Sequence, residues 1–114
     1  MCNGFFMLLS LITIYPFPEN ESKVIDVLDS IQALIATNAD CLGCFFIAGT
    51  GAGESICYME RWRTREALDR HLRSNLYCRV LEAMELSRKP PIVEFYEMKG
   101  IGGLDVIKDV RLHQ

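Results

Sequence analysis

The sequence predicts an α+β domain, a ferredoxin-like antiparallel sheet built in the order βαββαβ with two helices on one face, that is complete only as a dimer whose two sheets face each other. Three observations predict it. Four short runs of β-branched and aromatic residues alternate with stretches of helical periodicity, prolines and glycines punctuate the joins, and the strands are apolar on both faces. The chain has 114 residues, half of them hydrophobic and 24% charged. That suits one globular core, so residues 1–114 are expected to form a single domain.

The first strand runs from Phe6 to Tyr15 and stops at Pro16-Phe17-Pro18, which neither a helix nor a central strand tolerates. Acidic residues from Glu19 onward suit a helix N-terminus. Val24, Leu28, Ile31 and Ile35 then recur at helical spacing, so the first helix extends to about Asn38. Leu42–Ala48 is the second strand, and the glycines of the segment 49–53 supply the backbone freedom of a hairpin. The third strand ends at Arg63.

Thr64 is placed as an N-cap, with Glu66 in the first turn and Ala67, Leu68, His71 and Leu72 on one face of a second helix. Ser74-Asn75 interrupts that stripe, which resumes with Leu76, Val80, Leu81 and Met84, so a helix in two pieces or with a kink is expected. Pro90-Pro91 ends it. The fourth strand covers Ile92–Lys99, and Gly100, Gly102 and Gly103 form a joint before a short closing element at Leu104–Val110, whose type the sequence leaves open. The order is the split βαβ plan.

Strand patterning carries the dimer. With both helices on one face of the sheet, the other face should be largely polar if it met water. Instead Leu8, Ile12 and Ile14 oppose Leu9, Leu11 and Tyr15 on strand one, and Leu42, Cys44 and Phe46 oppose Phe45 and Ile47 on strand two. A second sheet must cover so apolar a face, and an identical chain is the simplest supplier.

A net charge of −3 and the lack of a run of basic residues argue against nucleic acid as a partner. The apolar run 5–14 is too short to span a bilayer and has no preceding positive charge or cleavage site, so no membrane partner and cytoplasmic residence are expected. The cysteines at positions 2, 41, 44, 57 and 78 form no regular framework and read as reduced thiols. Cys41 and Cys44 make a C-x-x-C, but in a regular strand residues three apart point to opposite faces roughly 10 Å apart, which speaks against a disulfide or redox pair.

Strand three and the following helix carry the chemistry-bearing residues. Tyr58, Glu60 and Trp62 alternate and so share one face, and Tyr96 on strand four joins that face if the register permits. His71 is the one ionisable side chain outside the tail whose ordinary range suits a base near neutrality. Glu60-Arg61-Trp62 closing strand three, Ala67-Leu68-Asp69-Arg70-His71 on the next helix, and the later Glu94-Phe95-Tyr96-Glu97 and Gly103-Leu104-Asp105-Val106-Ile107 together resemble the antibiotic biosynthesis monooxygenase family. The resemblance covers most of the chain. It implies a dimeric α+β barrel with a pocket in each subunit between sheet and helices.

Members of that family include cofactor-free oxygenases of phenols, hydroquinones and polycyclic aromatics, haem-degrading enzymes, and enzymes acting on small signalling sugars. Fold alone does not choose among them. Cofactor-free oxygenation needs a base, an oxyanion partner and a dry pocket. This yields the expectation of a quinol or phenol monooxygenase that uses molecular oxygen and no cofactor, with His71 as general base and Tyr58, Glu60, Trp62 and Tyr96 around a small aromatic substrate.

Haem degradation fits less well, because the resemblance places an iron-ligating histidine where this chain has Leu81, a tryptophan where it has His71, and a strand-one asparagine that Phe6–Tyr15 lacks. The alternative is a small-ligand-binding or dimerisation module without catalysis. In that reading His71 is a structural histidine on an apolar stripe, Trp62 and the tyrosines pack a core or interface, and Glu60 pairs with an arginine. Whether His71 lines a cavity reachable by solvent separates the two.

Overall fold

The computed structural model describes residues 6–49 and 54–113. The hairpin expected at 49–53 therefore lies, apart from Gly49, outside the described residues. The elements are β1 (Phe6–Ile14), a single 3-10 turn (Pro18–Asn20), α1 (Glu21–Ile35), β2 (Cys41–Ala48), β3 (Ile56–Trp62), α2 (Arg65–Leu72), α3 (Tyr77–Glu85), β4 (Ile92–Lys99) and α4 (Leu104–Leu112). All strand pairs are antiparallel, in the order β2-β3-β1-β4. This is the ferredoxin-like α+β arrangement the element order predicts.

Pleating sorts β1 into two sets. Leu8, Ser10, Ile12 and Ile14 are buried beneath the helices, alongside Ile56, Tyr58, Glu60 and Trp62 of β3. The main core joins Ile12, Ile14, Ile56 and Tyr58 to Val24, Leu28 and Ile31 of α1 and to Tyr77, Val80 and Ala83 of α3. A second cluster gathers Leu8, Trp62, Ile35, Ala67 and Leu68. Full burial of each large apolar side chain contributes about 1.5–3 kcal/mol, so these two clusters dominate the stability of the domain.

The helical break after α2 has a local cause. The Ser74 hydroxyl donates to the His71 carbonyl at 2.6 Å and accepts the Tyr77 N–H at 3.2 Å. One side chain thus closes α2 and opens α3. At the other end of α2, Thr64 is extended, and its hydroxyl accepts the Ala67 N–H at 3.1 Å, as expected of an N-cap.

Two features differ from the sequence expectation, and a third is one that it leaves open. The first helix is shorter, since Pro18–Asn20 forms a 3-10 turn and α1 ends at Ile35. The undecided closing element is a helix, α4, which contributes no buried residue and leaves Leu104, Ile107 and Val110 exposed. Most consequential is a register shift between Cys41 and Gly43, after which Cys41 pairs with Trp62 and Cys44 with Glu60. The extra residue inverts the parity of the strand. Both thiols therefore lie on the helix-covered face and pack on the Leu8–Trp62 cluster, where opposite faces were expected. They remain free thiols, and burial raises the pKa of each.

Among the described residues, the opposite face of the sheet is the more exposed one. Phe45, Ile47, Tyr96, Ile92 and Met98 are exposed there, with Leu9, Leu11 and Met59 partly so. Because the cap at Thr64 is a single hydrogen bond, Thr64→Ala is expected to lower unfolding free energy by about 1 kcal/mol, measured as a lower urea midpoint with an unchanged slope.

Candidate functional site

Glu60 is the centre of the site. It lies on the central strand β3, wholly buried, with its carboxylate under α2. Its Oε2 accepts the Tyr58 hydroxyl at 2.5 Å and meets His71 Nε2 at 2.9 Å, while Oε1 accepts the Trp62 indole N–H at 3.0 Å. The Tyr58 hydroxyl in turn lies 3.3 Å from the Cys44 thiol, which donates to it. A buried charge persists only where hydrogen bonds replace its water, and here three donors do so.

Each partner is delivered by a feature of local structure. Tyr58 and Trp62 flank Glu60 at two-residue spacing on one face of β3. His71 comes from α2, whose start is set by Thr64 and whose end is set by Ser74. The Ser74 junction also brings Tyr77 edge-on to the His71 ring, with centroids 5.2 Å apart, while Trp62 stacks at 4.7 Å on a 31° tilt. Facing a carboxylate, Nε2 carries the ring proton, and in the neutral imidazole Nδ1 is then the basic nitrogen.

The electrostatics follow from burial beside Glu60. Burial first, and then the Glu60 charge, push the Tyr77 phenol up to about 12. Tyr58 is raised much further by the same two causes in the same order. Burial pushes the Cys44 thiol up to about 11, against a smaller lowering from its bond to Tyr58. All three are therefore neutral at physiological pH, and the tyrosines act as donors or ring walls rather than as anions.

Two cavities flank α2. One, of about 290 Å³, lies between α2 and strands β1 and β4, with Leu8, Leu68, Leu72 and Phe95 as apolar walls and Arg65, Tyr96 and Glu97 at its rim. The other, of about 350 Å³, lies between the end of α1 and the α2–α3 junction and is lined by His71 with Leu34, Ile35, Arg70 and Ser74 among others. Among the described residues, no group of three or more histidine, cysteine or acidic side chains could hold a metal ion, and no helix is long and apolar enough to cross a membrane.

Of the residues singled out in the sequence, Tyr58, Glu60, Trp62 and His71 come together in one buried network. Tyr58, Glu60 and Trp62 line neither cavity, so they hold His71 rather than face a ligand. Tyr96 does not join them. It pairs with Leu9, whereas Trp62 pairs with Leu8, so the register turns Tyr96 to the open face, where its hydroxyl donates to Glu94. Sequence reasoning missed Cys44 and Tyr77, which a bulge and a helix break bring in. It also missed Ser10, whose signal was readable as the one polar residue among Leu8, Ile12 and Ile14.

The family model for antibiotic biosynthesis monooxygenases matches residues 7–83. The chain belongs to the antibiotic biosynthesis monooxygenase family. Solved structures of the same fold include Rv0793 from Mycobacterium tuberculosis, with 23% identity, a TM-score of 0.70, and coverage of 79% of this chain and 92% of that one. A conserved protein from Methanosarcina mazei matches with 16% identity and a TM-score of 0.71 over 81% of this chain and 92% of its own. A third, described as an antibiotic biosynthesis monooxygenase, has 18% identity and a TM-score of 0.68 over 78% of this chain and 95% of its own. No curated protein sequence matches the chain. At these identities the structural likeness establishes the fold, and the matched segment holds the whole Glu60–His71 network.

The raised thiol and phenol pKa values set an alkaline limit for this family member. An acid whose folded pKa exceeds its unfolded value contributes stability that is complete below the unfolded pKa and is lost as pH rises toward the folded one. Stability is therefore expected to be level up to about pH 9 and then to fall, first through Cys44 between about 9 and 11 and then through Tyr77 between about 10 and 12. Urea midpoints measured from pH 8 to 12 check this, and Cys44→Ala should flatten the first part of the decline.

Proposed function

We propose that this family member is a cofactor-independent monooxygenase of a phenol or quinol, with the Glu60–His71 pair as its base. The observation that carries this reading is the 2.9 Å contact between Glu60 Oε2 and His71 Nε2, a carboxylate fixing the tautomer of an imidazole that lines a cavity. The ring of the substrate occupies the cavity that His71 itself lines, where Leu34, Ile35 and Leu76 give apolar sides.

The chemistry asks little more of the protein. The substrate O–H bond breaks, its proton passes to the buried pair, and the electron-rich anion supplies the electrons that reduce oxygen. One oxygen atom replaces the hydrogen of a ring C–H bond and becomes a carbonyl. The other leaves as water with that hydrogen and the phenolic one, and the substrate gives up four electrons to become a quinone. General-base assistance of this kind contributes about 10²–10⁴-fold.

A ligand-binding or dimerisation module without turnover is the second reading. It is favoured by the complete burial of Tyr58, Glu60 and Trp62, which lets the network serve as a polar core that orients α2. The two readings part on one variant. His71→Ala should abolish oxygen uptake on hydroquinones and anthrone-like compounds while the protein stays folded. Uptake unchanged from the wild type removes His71 from the mechanism, and a wild type inactive across the panel favours the module.

The open sheet face supports a second copy of the chain as partner. Phe45 and Ile47 of β2 project from it with exposures of 39% and 67%, beside Leu9, Leu11, Met59 and Met98, a larger apolar surface than monomers usually leave in water. Sedimentation is expected to give a dimer, and Ile47→Glu to shift it toward monomer. A wild type that is monomeric at micromolar concentration sinks the shared barrel.

A further inference from the structure

The cavity beside His71 has charge of one sign on its lining. Arg70 and His71, consecutive on α2, both border it, and none of the described residues that line it is acidic. Apart from His71, Arg70 is the only ionisable side chain among them. The cavity over β1 and β4 differs, since Glu97 lies there with Arg65, and Arg65 already donates to Asp69 at 2.7 Å.

The donors of Arg70 are not taken up by its ion pair. Its guanidinium lies 3.6 Å from Asp40 Oδ2, beyond the about 2.7–2.9 Å of a charge-assisted hydrogen bond. Asp40 is also shared with Arg63, whose Nε is 3.8 Å from Oδ1, so one carboxylate faces two cations. Among the other lining residues, Thr37 and Ser74 direct their hydroxyl protons to the Leu34 and His71 carbonyls. Asn38 commits its Oδ1 to the Asp40 N–H at 2.9 Å, which leaves the Nδ2 protons to donate. The lining therefore offers a ligand the donors of Arg70 and Asn38 together with a positive charge.

Burial orders this cavity from its inner end to its mouth. Ile35 and His71 are buried, whereas Asn38 and Arg70 are exposed, the Arg70 side chain by 65%. The volume of about 350 Å³ is at the low end of ligand pockets, about 300–1,000 Å³, and fits a single ring more closely than a fused set. We infer that Arg70, with Asn38, recognises a carboxylate on the ligand, so that the cavity takes a single-ring phenolic acid with its hydroxyl toward His71 and its carboxylate toward the mouth. This rests on the reading of that cavity as the substrate site and adds the class of substrate. A carboxylate accepts two parallel hydrogen bonds from a guanidinium, whereas an amide of the same shape brings no charge and sets its own N–H donors against those of Arg70.

The test is binding without turnover. Equilibrium dialysis under anaerobic conditions measures 4-hydroxybenzoate and 4-hydroxybenzamide, alike in shape, against wild type, Arg70→Gln, Arg70→Lys and Arg65→Gln. The wild type should prefer the acid, and Arg70→Gln should reduce that preference about fivefold through weaker binding of the acid. Arg70→Lys should keep part of it, because the charge remains while the planar fork is lost. Arg65→Gln removes an equal charge from the same helix, at the other cavity, and should leave the preference as it is.

A wild type without preference for the acid overturns the proposal, and so does a preference that survives Arg70→Gln. Failure of both compounds to bind the wild type does the same. Loss of the preference in Arg65→Gln also overturns it, by placing the acid at the other cavity. The readout is independent of catalysis. If the preference falls in Arg70→Gln but no phenolic compound consumes oxygen, the oxygenase reading fails and the role of Arg70 stands. If His71→Ala abolishes oxygen uptake while Arg70→Gln leaves the preference intact, only the role of Arg70 fails.

Discussion

A fully buried carboxylate is the constraint on which the rest of this molecule depends. Removing Glu60 from water costs several kcal/mol even after the protein relaxes around it, and hydrogen bonds to a charged group contribute about 1.5–3 kcal/mol each. Three such bonds are therefore needed, and they come from Tyr58, Trp62 and His71. Because His71 is on α2 and the others are on β3, the network sets the rotation of the helix against the sheet. A turn of α2 about its axis would strand the charge, so the helix has one seat.

That seat determines the chemistry within reach. With Nε2 committed to Glu60, the neutral ring of His71 has Nδ1 as its basic nitrogen. Ser74 ends α2 directly after His71 and starts α3 at Tyr77, which closes the ring from its edge. Leu68 and Leu72, one turn before and one residue after His71, face the other way and wall the cavity over β1 and β4. One short helix thus presents a polar side to the buried carboxylate and an apolar side to the cavity over β1 and β4.

The sheet divides its labour between faces. Beneath the helices, the row through Cys44, Glu60, Ser10 and Phe95 carries the polar groups inside an otherwise apolar core. On the open face, Leu9, Leu11, Phe45, Ile47 and Met98 are apolar, beside the polar Arg61, Glu94 and Tyr96. A residue's role is therefore decided by the parity of its position, and Tyr96 shows the consequence. One residue away from Phe95 and Glu97, it lies on the open face beside Glu94 and takes no part in the buried network.

The amino-acid sequence by itself determined the order and type of the elements, because the periodicity of apolar residues and the breakers Pro16, Pro18, Pro90 and Pro91 act locally. It also determined the cap at Thr64, the interruption at Ser74, and the shared face of Tyr58, Glu60 and Trp62, since a strand alternates strictly. Only the tertiary structure decided what those faces meet. The β2 bulge that turns Cys41 and Cys44 to the same side, the register that turns Tyr96 away, and the unpaired hydroxyl of Ser10 all depend on how strands pair across gaps in sequence. A one-residue shift in that pairing exchanges the two faces, and the local pattern of residues does not specify it.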